Sequence, residues 1–206
     1  MNQSKCKICR RLNEKLFLKG DRCYSQNCAM VKRAYAPGQK AKRTRGRPSE
    51  YAKQLAEKQK LKKMYNLREA QFKKYVTEVF RKKSENATDN LISLLESRLD
   101  SVVFRLGFGF SKIQAKQLVS HGHFLVNGKQ VDIPSYQLKK GEVIALKPQK
   151  RKNKDLEGFK NLMKQKRADW IEFDIEKMEG KMTHFPTLEE VSPPVNMQAI
   201  FEFYSK

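Results

Sequence analysis

The sequence predicts an α+β protein, mainly helical, built as one or two small domains with a basic extension rather than around one large core. Three observations carry this. Apolar residues recur at the helical period over much of 49–106, a short stretch around Asn127-Gly128 reads as a hairpin, and the first 48 residues hold four cysteines but almost nothing to bury. Of the 206 residues 39% are hydrophobic, below the roughly 45–50% of an average globular domain. The chain can fold, but not as a single compact mass.

Residues 1–48 read as an extended arm. From Tyr35 to Pro48 the breakers Pro37, Gly38, Gly46 and Pro48 interrupt a basic run with no apolar face, so this stretch should take its order from a partner. Ser49 caps a helix of good helix formers running to about Tyr65. Residues 68–83 place Phe72, Tyr75, Val76, Val79 and Phe80 on one helical face. A third helix, capped by Thr88 or Asp89 and ended by Gly107, turns Leu91, Ile92, Leu94, Leu95, Leu99, Val102, Val103 and Leu106 inward.

Ser111 followed three residues later by Gln114 forms a capping box, opening a short helix that stops at Gly122. Phe124-Leu125-Val126 and Gln130-Val131 flank Asn127-Gly128-Lys129, where Asn-Gly supplies two positive φ angles for a tight turn. Val143 to Leu146 is a further strand after the Lys140-Gly141 turn, 147–167 a Lys-rich helical run, and Trp170 to Ile175 another strand. Asn196 caps a terminal helix with Met197, Ile200, Phe201 and Tyr204 inward.

The charge balance narrows the function. The 44 Lys plus Arg against 22 Asp plus Glu leave +22, and the excess is uneven. Residues 1–49 carry 14 basic and 2 acidic side chains and 111–167 carry 14 and 4, whereas 168–206 carry 3 and 8. Two strongly positive segments suit phosphates. An anionic membrane surface would call for an amphipathic basic helix with large apolar anchors, and no such helix is found. With no run of 18 apolar residues and no signal-peptide pattern, the chain is expected to be soluble and intracellular.

Cys6-x2-Cys9 and Cys23-x4-Cys28, separated by 13 residues, form two short ligand pairs. Four thiolates around a divalent ion make the closed tetrahedral set of a structural zinc site, so one Zn2+ per chain is expected at Cys6, Cys9, Cys23 and Cys28. Arg10, Arg11, Arg22, Lys32 and Arg33 would offset its net negative charge. Free reduced thiols, an iron–sulfur cluster or disulfides are the alternatives.

In 98–131 the polar residues stand where a nucleic-acid reader would hold them. Arg98 and Arg105, seven apart, share a helix face. Ser111 and Lys112 open the capped helix, Lys116, Gln117, Ser120 and His121 extend its polar face, and Lys129 sits at the hairpin tip. The rival reading is an ordinary solvated face. His121 and His123 have no third ligand nearby and no nucleophile or carboxylate partner, so no catalytic or metal role is expected of them.

These residues carry a resemblance. RLDSVVFRLGF at 98–108 and AKQLVSHGHFLVNGKQVDIPSYQLKKGE at 115–142 resemble the RNA-binding module named after the small-subunit ribosomal protein S-four, a module also found in pseudouridine synthases and some aminoacyl-tRNA synthetases. YAPGQ at 35–39, LREAQFKKYV at 67–76, NLISLLESRLD at 90–100, KMEG at 177–180 and the terminal YSK extend the likeness over nearly the whole chain to the bacterial-type ribosomal S-four family. The four cysteines match its zinc-bearing form.

The resemblance implies a module, 98–175, inserted into a helical domain of 49–97 plus about 176–206, with the C-terminal helix returning beside 49–97 and the arm 1–48 holding the zinc. It implies a structural protein, not an enzyme, that binds the 5′ domain of small-subunit rRNA early in assembly. It further implies neighbouring small-subunit ribosomal proteins as partners, a share in lining the channel by which mRNA enters, an influence on decoding accuracy, and in some bacteria repression of its own operon. The chain would be a monomer within the ribosome, cytoplasmic or organellar, with no small-molecule substrate. By position Arg43, Arg45 and Arg47 are the candidates for the mRNA channel, and Arg10, Arg11 and the 98–129 set for rRNA. The alternatives are a non-ribosomal RNA-binding or RNA-modifying protein carrying the same module, for which too little chain follows 167, and a DNA-binding regulator, for which helix-turn-helix or finger spacing is absent.

Overall fold

The computed structural model describes residues 4–38, 47–82, 86–150 and 168–205. The chain forms two compact units, one of 1–81 with 193–206 and one of 82–192. The expected Lys-rich helix falls mostly on 151–167 and the candidates Arg43 and Arg45 on 39–46, both outside the described residues.

In the first unit α1 spans Lys5–Leu12, a single tight turn Gly20–Cys23, α2 Ala29–Lys32, α3 Glu50–Met64 and α4 Glu69–Lys82. Ser49 caps α3 as expected, its Oγ accepting from the Ala52 N–H at 3.3 Å. The terminal helix, Met197–Ser205, is capped by Asn196, whose Oδ1 accepts from the Ala199 N–H at 3.1 Å, and packs along α3. What joins them is partly polar. Glu69 accepts hydrogen bonds from Lys58, Lys62 and the Tyr204 hydroxyl, while Lys58 lies 4.2 Å from the centre of the Phe203 ring. Burial pushes the Glu69 carboxyl up, but these three donors outweigh it and hold the group down to about 2.

The second unit holds α5, Ala87–Glu96, α6, Leu99–Arg105, and α7, Lys112–Ser120. Its strands are β1 Phe124–Val126, β2 Lys129–Gln130, β3 Val143–Leu146, β4 Ile171–Asp174 and β5 Glu179–Met182, followed by the short α8, Leu188–Val191. The terminal helix is therefore α9. The strands form one antiparallel sheet in the order β2-β1-β3-β5-β4. Asn127 and Gly128 both take positive φ, 48° and 79°, as the hairpin turn requires. The core lies between sheet and helices: Leu99, Val102 and Val103 of α6, then Leu106, Phe108, Ala115 and Val119, with Phe124, Ile144, Leu146 and Trp170.

Three expectations are corrected here. The single helix expected over 88–106 is two, α5 and α6, broken at Ser97 and Arg98 because the segment 134–138 runs alongside. The Leu99 and Asp100 N–H groups donate to the Tyr136 and Pro134 carbonyls, and the Leu138 N–H donates to the Ser97 carbonyl, all at 2.9–3.2 Å. Those bonds satisfy the first amides of α6 from outside the helix. Asp89 is not a cap either; its Oδ1 accepts from the Leu188 N–H at 2.7 Å, pinning α8 to α5. This puts α5, read from sequence as part of the helical domain, in the second unit.

The sequence does not predict strand β5, since Glu-Gly-Lys-Met lacks an apolar alternation. Its glycine is a matter of space: a Cβ on Gly180 would stand 2.6 Å and 2.8 Å from the two Cδ atoms of fully buried Leu106. Gly180→Ala is expected to destabilise by about 1–3 kcal/mol through overpacking. In that background Leu106→Ala should cost clearly less than its usual ~2–5 kcal/mol, because the smaller side chain makes room for the new methyl. Urea midpoints of the four proteins of this cycle measure the coupling, and additive costs would refute the steric account.

Candidate nucleic-acid interface

The cations of 96–112 sort themselves by partner. Glu96, at the end of α5, has a fully buried carboxylate. Arg105 grips it with Nε at 3.0 Å and Nη2 at 2.7 Å, and Lys112 Nζ adds a third contact at 3.1 Å. Arg105 also lies over the Trp170 ring at 5.4 Å. Burial pushes the Lys112 ammonium down to about 8, with the Arg105 charge adding to the push and Glu96 pulling the other way.

Arg98 is corrected outright. Its side chain is 1% exposed and held by Asp100, Nε to Oδ1 at 3.0 Å and Nη2 to Oδ2 at 2.7 Å. It is the last residue before α6, with extended backbone, so it does not share a helical face with Arg105. The structure turns Arg98 inward and commits Arg105 and Lys112 to Glu96 instead of presenting all three outward. At the start of α7, Ser111 Oγ accepts from the Gln114 N–H at 3.3 Å, using one of the free amides there, and Gln114 Oε1 takes the N–H of Phe110, the residue before the cap, at 3.0 Å.

The outward polar surface lies at the other end of α7. Gln117, Ser120 and His121 are exposed, Lys116 is half-buried, and Lys129 is exposed on the hairpin. The His121 and His123 rings are 6.1 Å apart. Two residues that are not among the contact candidates of the sequence, Gln130 and Lys147, join them. A Cβ on Gly122 would meet Gln130 Nε2 at 2.5 Å and stand 3.8 Å from Lys147 Nζ, and the Lys147 N–H donates to the His123 carbonyl at 3.0 Å. Pairing of β1 with β2 and β3 brings Gln130 of β2 and Lys147, just past the end of β3, to Gly122, which linear spacing does not reveal. The surface offers donors and positive charge on a rigid sheet and helix, suited to phosphate and ribose contacts.

On the arm, Arg10 donates from Nε to the Tyr35 carbonyl at 2.9 Å and its guanidinium lies 5.0 Å from the Tyr35 ring centre. Arg11 and Arg47 are exposed. So is a stacked pair, Phe17 and Tyr24, ring centres 4.9 Å apart, with the exposed Lys15, Lys19 and Arg22 near in sequence. A base can stack on such a platform.

Cys9, Cys23 and Cys28 are buried and Cys6 half-buried. Among the described residues no three His, Cys, Asp or Glu side chains stand as a metal-holding group. The donor set nevertheless has features that fit a thiolate cation site. Burial pushes the Cys9 thiol up, the other three thiols add to that push by charge, and the Leu16 N–H donates to it. The Lys19 N–H points to Cys23 Sγ at 3.4 Å.

No helix among the described residues is long and apolar enough to cross a membrane. The family "Ribosomal protein S4/S9 N-terminal domain" matches residues 1–96 and the "S4 domain" residues 97–144. The small ribosomal subunit protein uS4 of Syntrophus aciditrophicus is 46% identical over 205 residues, 99% of this chain and 98% of that protein. That of Thermus thermophilus is 45% identical over 203 residues, 98% and 96%, and the uS4A protein of Clostridium novyi 48% over 201 residues, again 98% and 96%. Identity at this level over the length of both partners, across the arm, both units and the terminal helix, shows that the chain belongs to the small ribosomal subunit protein uS4 family.

Proposed function

We propose that this chain is a structural constituent of the small ribosomal subunit, not an enzyme, and that it holds rRNA in place during assembly. The observation that carries the reading is the family match from end to end, with the exposed Gln117, Ser120, His121, Lys129 and Gln130 and the half-buried Lys147 as its physical counterpart. With 31 Lys against 13 Arg, its phosphate contacts are mainly point charges, which recognise how helices meet rather than base identity. The target is a multi-helix junction in the 5′ domain. Arg43, Arg45 and Arg47 would face mRNA where it enters, and neighbouring ribosomal proteins would complete that channel. Cys6, Cys9, Cys23 and Cys28 would hold one structural zinc ion, which orders the arm and does no chemistry.

Competition binding at fixed salt tests this. A folded multi-helix fragment of the rRNA 5′ domain should bind at least ten-fold more tightly than duplex DNA of equal length, and equal affinity would overturn the reading. Lys147→Gln should weaken rRNA binding and reduce the slope of log K against log salt by about 1, as loss of one phosphate contact requires.

A further inference from the structure

Between α1 and α3 of the first unit lies an open cavity of about 570 Å3, within the roughly 300–1,000 Å3 of small-ligand sites. Besides Ser4, its walls are made of three helical pairs spaced i, i+4, and each pair has a different chemistry. Lys7 and Arg11 form a cationic ridge on α1, Ile8 and Leu12 an apolar ridge beside it, and Gln59 with Lys63 line the α3 side.

The cations here differ from their neighbours. On α3, Lys53 pairs with Glu50, Lys58 and Lys62 with Glu69, and Lys60 with Glu14 and Glu57. Among the described residues Lys63, Lys7 and Arg11 have no carboxylate partner. Burial, then the charges of Lys62 and Lys5, push the Lys63 ammonium below its usual range, against a weaker pull from Glu69. A half-buried lysine kept among like charges at the edge of a cavity is stabilised by an arriving anion.

We propose that this groove takes a single unstacked nucleotide of an RNA strand, its phosphate on Lys7, Arg11 and Lys63, its base face on Ile8 and Leu12, and its polar edge on the Gln59 amide. The combination is what an extruded nucleotide needs: cations for the phosphate, an apolar face for the base, and an amide that both donates and accepts. A phosphate alone would not use the apolar ridge, and an apolar ligand would not use the cations. The inference rests on the rRNA-binding reading and adds a specific pocket to it.

Full-length protein is bound to small-subunit rRNA, irradiated at short wavelength, digested, and its nucleotide adducts are mapped by mass spectrometry. Adducts are expected on the 7–12 and 59–63 peptides as well as near His121 and Lys129. The double variant Gln59→Ala, Lys63→Gln should reduce the α1 and α3 adducts at least five-fold and leave those near His121 unchanged. Adducts near His121 with none on α1 or α3 overturn the pocket and spare the general reading. So does a double variant that keeps its adducts. Labelling of the groove by free uridine monophosphate but not by rRNA also overturns it, assigning a small nucleotide instead. A wild-type chain that fails to bind rRNA at all removes both readings together.

Discussion

Replacing Glu96 by Ala is expected to destabilise the protein by about 3–5 kcal/mol, the cost of breaking a buried ion pair by deleting one partner. The carboxylate is fully buried, and its partners have little water to fall back on: the Arg105 side chain is 29% exposed and that of Lys112 16%. Without Glu96 two cations face each other in a poorly solvated corner beside the Phe104 and Trp170 rings. Lys112→Met is the contrasting variant. Glu96 keeps its two-pronged hold from Arg105, and the ammonium is already disfavoured by burial, so a change within about 1 kcal/mol is expected.

The pH dependence separates the two roles. Lys112 in the folded protein, at about 8, binds its proton less tightly than an ordinary lysine. The folded state therefore carries fewer protons than the unfolded one between about pH 8 and the usual lysine range near 10.5, and this residue's contribution to stability rises with pH across that window. Lys112→Met should remove that rise. Urea denaturation from pH 7 to 10 measures both variants. A Glu96→Ala protein within 1 kcal/mol of wild type would show that the cluster is far better hydrated than its exposure indicates.

This cluster also shows where sequence reading stops. Ser49, Ser111 and Asn127-Gly128 were legible because each acts within four residues, through a cap or a turn whose geometry is local. Arg98, Arg105 and Lys112 were legible as positive charges but not as to direction. Glu96 and Asp100 were the available warning, two acids among the basic residues, yet which cation each would take depended on how α5, α6 and α7 meet. The break at Ser97 and Arg98 was hidden for the same reason, since its hydrogen-bond partners lie at 134–138. At the interface, His121 and Lys129 could be named from a helix and a hairpin, whereas Gln130 and Lys147 join them only through strand pairing. The return of α9 to α3 came from the family likeness and not from any pattern in 197–205.

Chelation should have the largest local effect of all: loss of ordered structure over about 5–32 with little change in the second unit. Among the described residues of the arm, the buried apolar side chains are Cys9, Leu16, Leu18, Cys23 and Cys28. Three of these five are proposed ligands. What remains is two leucines, too little apolar burial to offset the conformational entropy of ordering the segment. Such a segment cannot hold itself together by burial. The proposed four-thiolate zinc site would supply the missing cross-link, since metal binding in small modules of this kind is coupled to their folding. Purified protein is accordingly expected to carry about one zinc per chain. Cys9→Ser should behave like the chelated protein, because it removes one of the four thiolates that a closed tetrahedral site needs. Hydrogen exchange followed by peptide mapping reads both. The α6 and α7 amides act as the internal control, since their protection derives from the Leu99 to Met182 core. Unchanged protection of α1 after the metal is stripped, or a purified chain free of metal, would mean that the arm is ordered by its contacts with α3, of which the Lys60 to Glu14 ion pair at 2.7 Å is one.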